Sequence, residues 1–334
     1  MLQIRAQLPN VEAVRDYLAG LIGTEFGRNV VAVGIGRRLI QRHESAEPVE
    51  TTMPAVRVYV TEKPKPDEIG SRLMLPKEYL GVPVDVIKIS GNDFRTGFGR
   101  RRKGRAAIEF GPGASIGPAP PEVSGNVSPV LSGTLGAFVK DTEGTAYILS
   151  CNHVLSANGR VNSESAVLSP APVDVFDVGK TTEVAKEIQH VPLETAGENE
   201  VDCAVAGLTG YRLADIEEIP TKKPALGDKV VQLGKQQTTG KIVDLQATLI
   251  VDYSFGSFRF KNQILIQSDP AGGPFALDGD SGALVVGKDD ESAVGLLFAP
   301  AGDLAVACPI DRVLEKLKVQ LLSARAVKEA AEQE

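Results

Sequence analysis

Ser281 lies in Asp278-Gly279-Asp280-Ser281-Gly282, a tight polar turn that runs into the apolar stretch Ala283-Leu284-Val285-Val286. Such a turn can present a hydroxyl beside two free backbone N–H groups, those of Gly279 and Ser281. Together these supply a nucleophile and an oxyanion hole. A serine of this kind needs a base, and the chain has only three histidines. His43 lies in a polar loop with nothing apolar to hold an imidazole still, and His190 lies at an expected strand end. His153 follows the apolar run Ala146-Tyr147-Ile148-Leu149-Ser150-Cys151. That pattern delivers an imidazole to a strand end and short turn, the rigid position a general base requires. The base in turn needs a short, buried acid. Asp202 is the one carboxylate inside the apolar stretch Val201-Asp202-Cys203-Ala204-Val205-Ala206, where a charge is costly unless paired. Each residue also has a plainer reading: a connecting turn, a half-buried histidine held by backbone, an aspartate capping a loop.

Five stretches carry a resemblance: Gly133-Thr134-Leu135-Gly136-Ala137-Phe138-Val139, Leu149 to Leu155, Val201 to Val205, Gly279 to Gly282, and Ala293-Val294-Gly295-Leu296-Leu297-Phe298. From about Ser132 to Val319 the chain resembles a trypsin-like (chymotrypsin-fold) serine peptidase, and the order His153, Asp202, Ser281 is the family's triad order. Gly227 to Gly240 and Ala307 to Leu314 are similar to intracellular trypsin-like proteins of bacteria and of the plant narrow-leaf group. The resemblance implies a serine endopeptidase with Ser281 as nucleophile, His153 as base and Asp202 as its orienting acid. It also implies that the pocket for the residue before the cut is lined near Phe275, Phe298 and Pro300. Enzymes of the family that cut after Lys or Arg carry an acid where this chain has Phe275, so small or apolar residues are expected before the cut.

The elements that must position these residues read as follows. Residues 1–92 form a small α+β module of order α-β-β-α-β, with a helix from Pro9 to Ile22, strands at Asn29–Gly36, Ala55–Thr61 and Val82–Ile89, and a loop and short helix at Lys63–Leu80. Residues 93–130 are a linker, basic from Arg95 to Arg105 and then too rich in Gly and Pro for regular structure. Residues 131–320 read as short strands broken by turns. The expected fold class is therefore mainly β, two six-stranded-type antiparallel β-barrels (chymotrypsin-like) over about 131–213 and 224–307. A closing helix starts at Pro309, and 321–334 is expected to be its polar helical tail. The site would lie in the cleft between the barrels.

The chain has 334 residues, 43% of them hydrophobic and 24% charged, with a formal net charge of −7. This supports a real core and argues against a general nucleic-acid or membrane binder. No apolar run approaches a membrane span, and Met1-Leu2-Gln3-Ile4-Arg5 does not open a signal peptide. With Cys151, Cys203 and Cys308 as its only cysteines, a cytoplasmic protein with reduced thiols is expected, the thiols serving as small core groups. No metal-ligand spacing is visible, and no cofactor is expected. The expected partner is a protein or peptide substrate. The N-terminal module and the C-terminal helix are candidate contacts for a homo-oligomer. Two rival readings stand beside the peptidase: a catalytically silent peptidase-fold scaffold that binds protein, and a hydrolase of small esters.

Overall fold

Valine-rich alternation decides most of the architecture. The computed structural model describes residues 10–41, 48–64, 74–90, 94–96, 110–120, 131–175, 178–234 and 236–329. His43, most of the basic run and the core of the expected short helix near residues 65–73 lie outside them. An N-terminal helix, α1 (Val11–Ala19), is capped by the Asn10 side chain on the Glu12 N–H and buries Val14 and Leu18. It packs on β1 (Val30–Ile40) and β2 (Val49–Val60), followed by β3 (Glu78–Tyr79), β4 (Val82–Lys88) and the short β5 (Phe94–Arg95). Strand β2 runs parallel to β4.

The first barrel-like sheet contains β6 (Ser115–Pro118), β7 (Gly133–Thr134), β8 (Ala137–Lys140), β9 (Ala146–Ser150), β10 (Val167–Ser169), β11 (Thr182–His190), β12 (Ala204–Leu208) and β13 (Tyr211–Glu218). The second is built from β14 (Lys229–Leu233), β15 (Thr238–Tyr253), β16 (Gly256–Ser268), β17 (Leu284–Gly287), β18 (Ala293–Ala301) and β19 (Leu304–Pro309). These six close on themselves through antiparallel pairs, since β14 pairs with both β15 and β17. The fold class is therefore mainly β, with two barrel-like sheets and a C-terminal helix, α3 (Ile310–Leu317). Among the described residues no helix is long and apolar enough to cross a membrane.

Three expectations change. The stretch after α3 is not a helical tail. Lys318 ends the helix in a left-handed conformation (φ 56°), and β20 (Gln320–Lys328) inserts between β8 and β13. Its alternation of Leu322, Ala324 and Ala326 inward with Ser323 and Arg325 outward is a strand's period of two. The Gly/Pro-rich segment also forms a strand, because Pro118 closes it and Gly117 sits where a Cβ would come within 2.3 Å of the Leu131 carbonyl oxygen. Lastly, the N-terminal module is not a separate body: β1 pairs with β15, which joins its strands to the second barrel.

That junction buries charge. Gly34 of β1 leaves room for Asp244 of β15, and a Cβ there would lie 2.1 Å from the Asp244 Oδ1. The Tyr59 hydroxyl donates to Asp244 Oδ2 at 2.9 Å, and Arg57 donates to the Val243 carbonyl at 2.9 Å. Burial pushes the Asp244 carboxyl from its ordinary 3.8 up to about 7; the Tyr59 hydrogen bond and Arg57 offset this only in part. The folded state thus holds a proton that the unfolded chain releases near pH 4. The stabilisation is complete below that pH and is lost as pH rises through about 7, a total of about 4 kcal/mol. Thermal unfolding should show the melting temperature falling between pH 4 and 7, with the slope flattened in Asp244→Asn. An identical slope in the variant would contradict the assignment.

Candidate active site

The turn that carries Ser281 is shaped from both barrels. Asp280 ties its own loop, its N–H donating to the Leu277 carbonyl at 3.0 Å and its Oδ2 accepting from the Leu277 N–H at 2.9 Å. Gly279 and Gly282 take φ of 90° and 96°, values that other residues rarely adopt. From the first barrel, the Thr134 N–H donates to the Ser281 carbonyl and its hydroxyl to the Gly279 carbonyl, both at 2.8 Å. A Cβ on Gly282 would collide with Ser150 Oγ and the Thr134 carbonyl, at 2.2 and 2.3 Å. The backbone carbonyls of Gly279 and Ser281 are thus held by Thr134. Their N–H groups have no protein acceptor among the described residues.

His153 sits on a one-turn helix, α2 (Asn152–Leu155), directly after β9. The Asn152 side chain fixes that turn by donating to the Val191 carbonyl at 2.7 Å. Asp202 precedes β12 rather than lying inside it, and is fully buried. Its carboxylate is nevertheless well supplied with donors, as a buried charge must be. The His153 backbone N–H donates to Oδ1 at 3.1 Å; His153 Nδ1, at 2.5 Å, and the Tyr253 hydroxyl, at 2.8 Å, share Oδ2. A carboxylate only accepts, so Nδ1 carries the proton and Nε2 is left as the acceptor. Ser281 and His153 are each 7% exposed. Among the described residues the Ser281 hydroxyl has its hydrogen bond to the Phe298 carbonyl, at 3.1 Å, and none joins it to His153.

The expected pocket residues separate. Phe275 is fully buried with Val230, Ile242, Ile264 and Ile266 in the core of the second barrel, so its side chain lines no groove. Counting six residues back from Ser281 does not show which way a side chain turns. The Phe298 side chain is also buried, 4.9 Å from Phe260, and what it offers the site is its carbonyl. Pro300 stays half-buried on the same strand. His190 ends β11, its imidazole held below the usual range by burial.

All three cysteines are free and buried. Burial first, and the Asp202 charge second, push each thiol well above the ordinary range. The fold also does what linear spacing does not show: it sets Cys151, His153 and Asp202 together, their ligand atoms all within 4.8 Å. Thiolate, imidazole and carboxylate are ligands zinc accepts. Here the Cys151 thiol donates to the Leu297 carbonyl at 3.3 Å, and the other two hold each other. Tyr253 is the member of the site that no sequence motif announces. It lies at the end of β15, its ring 5.3 Å from the imidazole and edge-on to it. A separate cavity of 690 Å³, lined by Glu50, Arg57 and Lys241 among others, lies between the N-terminal strands and the second barrel and contains none of these residues.

No protein-family model matches the chain, and neither does any curated protein. Solved structures do match. Thermobifida fusca Protease A is 16% identical, with 63% of this chain and 96% of that one covered and a TM-score of 0.38. Nocardiopsis Protease is 13% identical, covering 63% and 97%, with a TM-score of 0.40. Cellulomonas bogoriensis chymotrypsin is 14% identical, covering 63% and 96%, with a TM-score of 0.37. The structural neighbours of this chain are thus bacterial serine proteases of the chymotrypsin type, each at low identity.

Proposed function

We propose that this protein is a serine endopeptidase. The observation that carries the proposal is the buried Asp202–His153 pair, together with a glycine-framed Ser281 turn that Thr134 of the same barrel holds by its carbonyls. Ser281 Oγ attacks the substrate carbonyl carbon, and its proton passes to His153 Nε2. The carbonyl oxygen becomes an oxyanion that receives the N–H groups of Gly279 and Ser281. The C–N bond then breaks, the amine leaves with the proton from His153, and water repeats the sequence on the acyl-enzyme. Asp202 holds the imidazole tautomer and stabilises the imidazolium.

An extended peptide would lie along β18, whose residues beyond Leu297 pair, among the described residues, only with β19. A substrate N–H on the Phe298 carbonyl would displace the Ser281 hydroxyl and free it to turn to His153. In the free protein that hydroxyl rests on Phe298, which is the observation favouring a silent scaffold. Catalytic hydrogen bonds commonly form only once substrate is bound, so the peptidase remains the better reading. We infer small or apolar residues before the cut, because Ala299 and Pro300, which follow the Phe298 carbonyl on β18, bring no charge there. Incubation with a peptide library, read by mass spectrometry, tests both points. Cleavage after small or apolar residues is expected. Dominant cleavage after Arg or Lys would contradict the specificity, and no cleavage at all would contradict the activity.

A further inference from the structure

We infer that Tyr253 is a positioning residue for the catalytic pair: its hydroxyl, delivered from the second barrel, orients the Asp202 carboxylate and through it the His153 imidazole. This role rests on the peptidase reading.

The geometry is specific. Tyr253 ends β15, in the second barrel, whereas His153 and Asp202 belong to the first. Its hydroxyl donates at 2.8 Å to Oδ2, the same oxygen that accepts from His153 Nδ1 at 2.5 Å. Without that donor, Oδ2 would be held only by the imidazole it is meant to hold. The carboxylate could then turn about its Cβ–Cγ bond, with the His153 backbone N–H on Oδ1 as its sole fixed anchor. With the donor, each oxygen has a partner that does not move during proton transfer.

The donor is itself rigid. The Tyr253 ring stacks on Phe255 at 5.1 Å and meets Phe258 edge-on at 5.5 Å. It also covers the imidazole face edge-on at 5.3 Å. The residue is 7% exposed, and burial followed by the Asp202 charge pushes its phenol well above the ordinary range, so the hydroxyl keeps its proton. Other titratable groups beside the carboxylate are the thiols of Cys151, Cys203 and Cys308, which the same two causes keep protonated. Of these, the Cys308 sulfur accepts from the Asp202 backbone N–H at 3.2 Å and does not compete for the carboxylate. No described side chain other than Tyr253 and His153 donates to Asp202.

Tyr253→Phe removes the hydroxyl and keeps the ring, so the aromatic packing is preserved and the positioning role is isolated. Two readouts on the full chain test it. Proton NMR of the His153 Nδ1 proton needs no turnover: losing the second donor leaves more charge on Oδ2 for the imidazole, and the resonance should move downfield. With a cleaved peptide, kcat should fall about tenfold, the loss expected for one hydrogen bond to a charged group, while KM stays within about twofold. An unchanged resonance together with an unchanged kcat would overturn the inference. So would a loss confined to thermal stability, which a merely structural tyrosine would produce. Failure of the parent reading looks different. If the wild-type protein cleaves no peptide, the peptidase proposal falls, while a downfield shift in Tyr253→Phe still upholds Tyr253 as the group that positions the pair.

Discussion

Ser281→Ala should lower kcat/KM on a peptide substrate by about 10⁴-fold or more, the scale on which removal of an activated nucleophile acts. The size follows from the division of labour in the site. Without Oγ no covalent intermediate forms, and what remains is the pair of free N–H groups at Gly279 and Ser281, which can still polarise a carbonyl toward water. The fold should survive. The hydroxyl makes one described hydrogen bond, to the Phe298 carbonyl, and its loss should cost about 1 kcal/mol. The backbone of the turn is held independently, by Thr134 on the Gly279 and Ser281 carbonyls. Circular dichroism and the melting temperature should therefore be close to wild type in a protein that no longer cleaves. Cleavage by the alanine variant within tenfold of wild type would remove Ser281 from the mechanism.

Asp202→Asn should lower kcat by roughly 10³- to 10⁴-fold, chiefly through the wrong imidazole tautomer. The carboxylate receives three donors: the His153 N–H on Oδ1, and the imidazole and the Tyr253 hydroxyl on Oδ2. An amide offers one accepting oxygen and one donating nitrogen. Set with nitrogen toward the imidazole, it forces Nδ1 to accept, which places the proton on Nε2 and leaves no base for Ser281. Set the other way, it points a donor at the His153 backbone N–H. Either arrangement strains a fully buried site, so a fall in melting temperature should accompany the loss of kcat. A variant that retains kcat within tenfold would show that the carboxylate is structural, whatever its distance from the imidazole.

Much of this site is legible in the amino-acid sequence, for reasons that differ by residue. Ser281 announces itself because its turn needs glycine at 279 and 282, where φ is positive. His153 emerges by elimination among three histidines, and Asp202 by the cost of a charge in an apolar stretch. The mainly β, two-barrel fold follows from short alternating runs. Tyr253 has no such signal, because its value lies in meeting a carboxylate that is 51 residues distant and in the other barrel. Phe275 is a poor guide to the pocket because register counted from Ser281 locates a loop without saying which face a side chain takes. The last strand resembles a helix in sequence because the alanines and charges that follow Lys318, where the helix ends, suit both periods. Joining of the N-terminal strands to β15 depends on a glycine-for-aspartate fit between Gly34 and Asp244 that no local pattern displays.

Ser281 as an activated nucleophile facing an oxyanion hole is tested most directly by mass spectrometry of the full chain after reaction with a fluorophosphonate probe. That reaction needs the nucleophile, the base and the two N–H groups at once. The prediction is a single adduct on the peptide containing Ser281, formed by the wild-type protein and lost in His153→Ala. No adduct on that peptide, or labelling undiminished by His153→Ala, would contradict it.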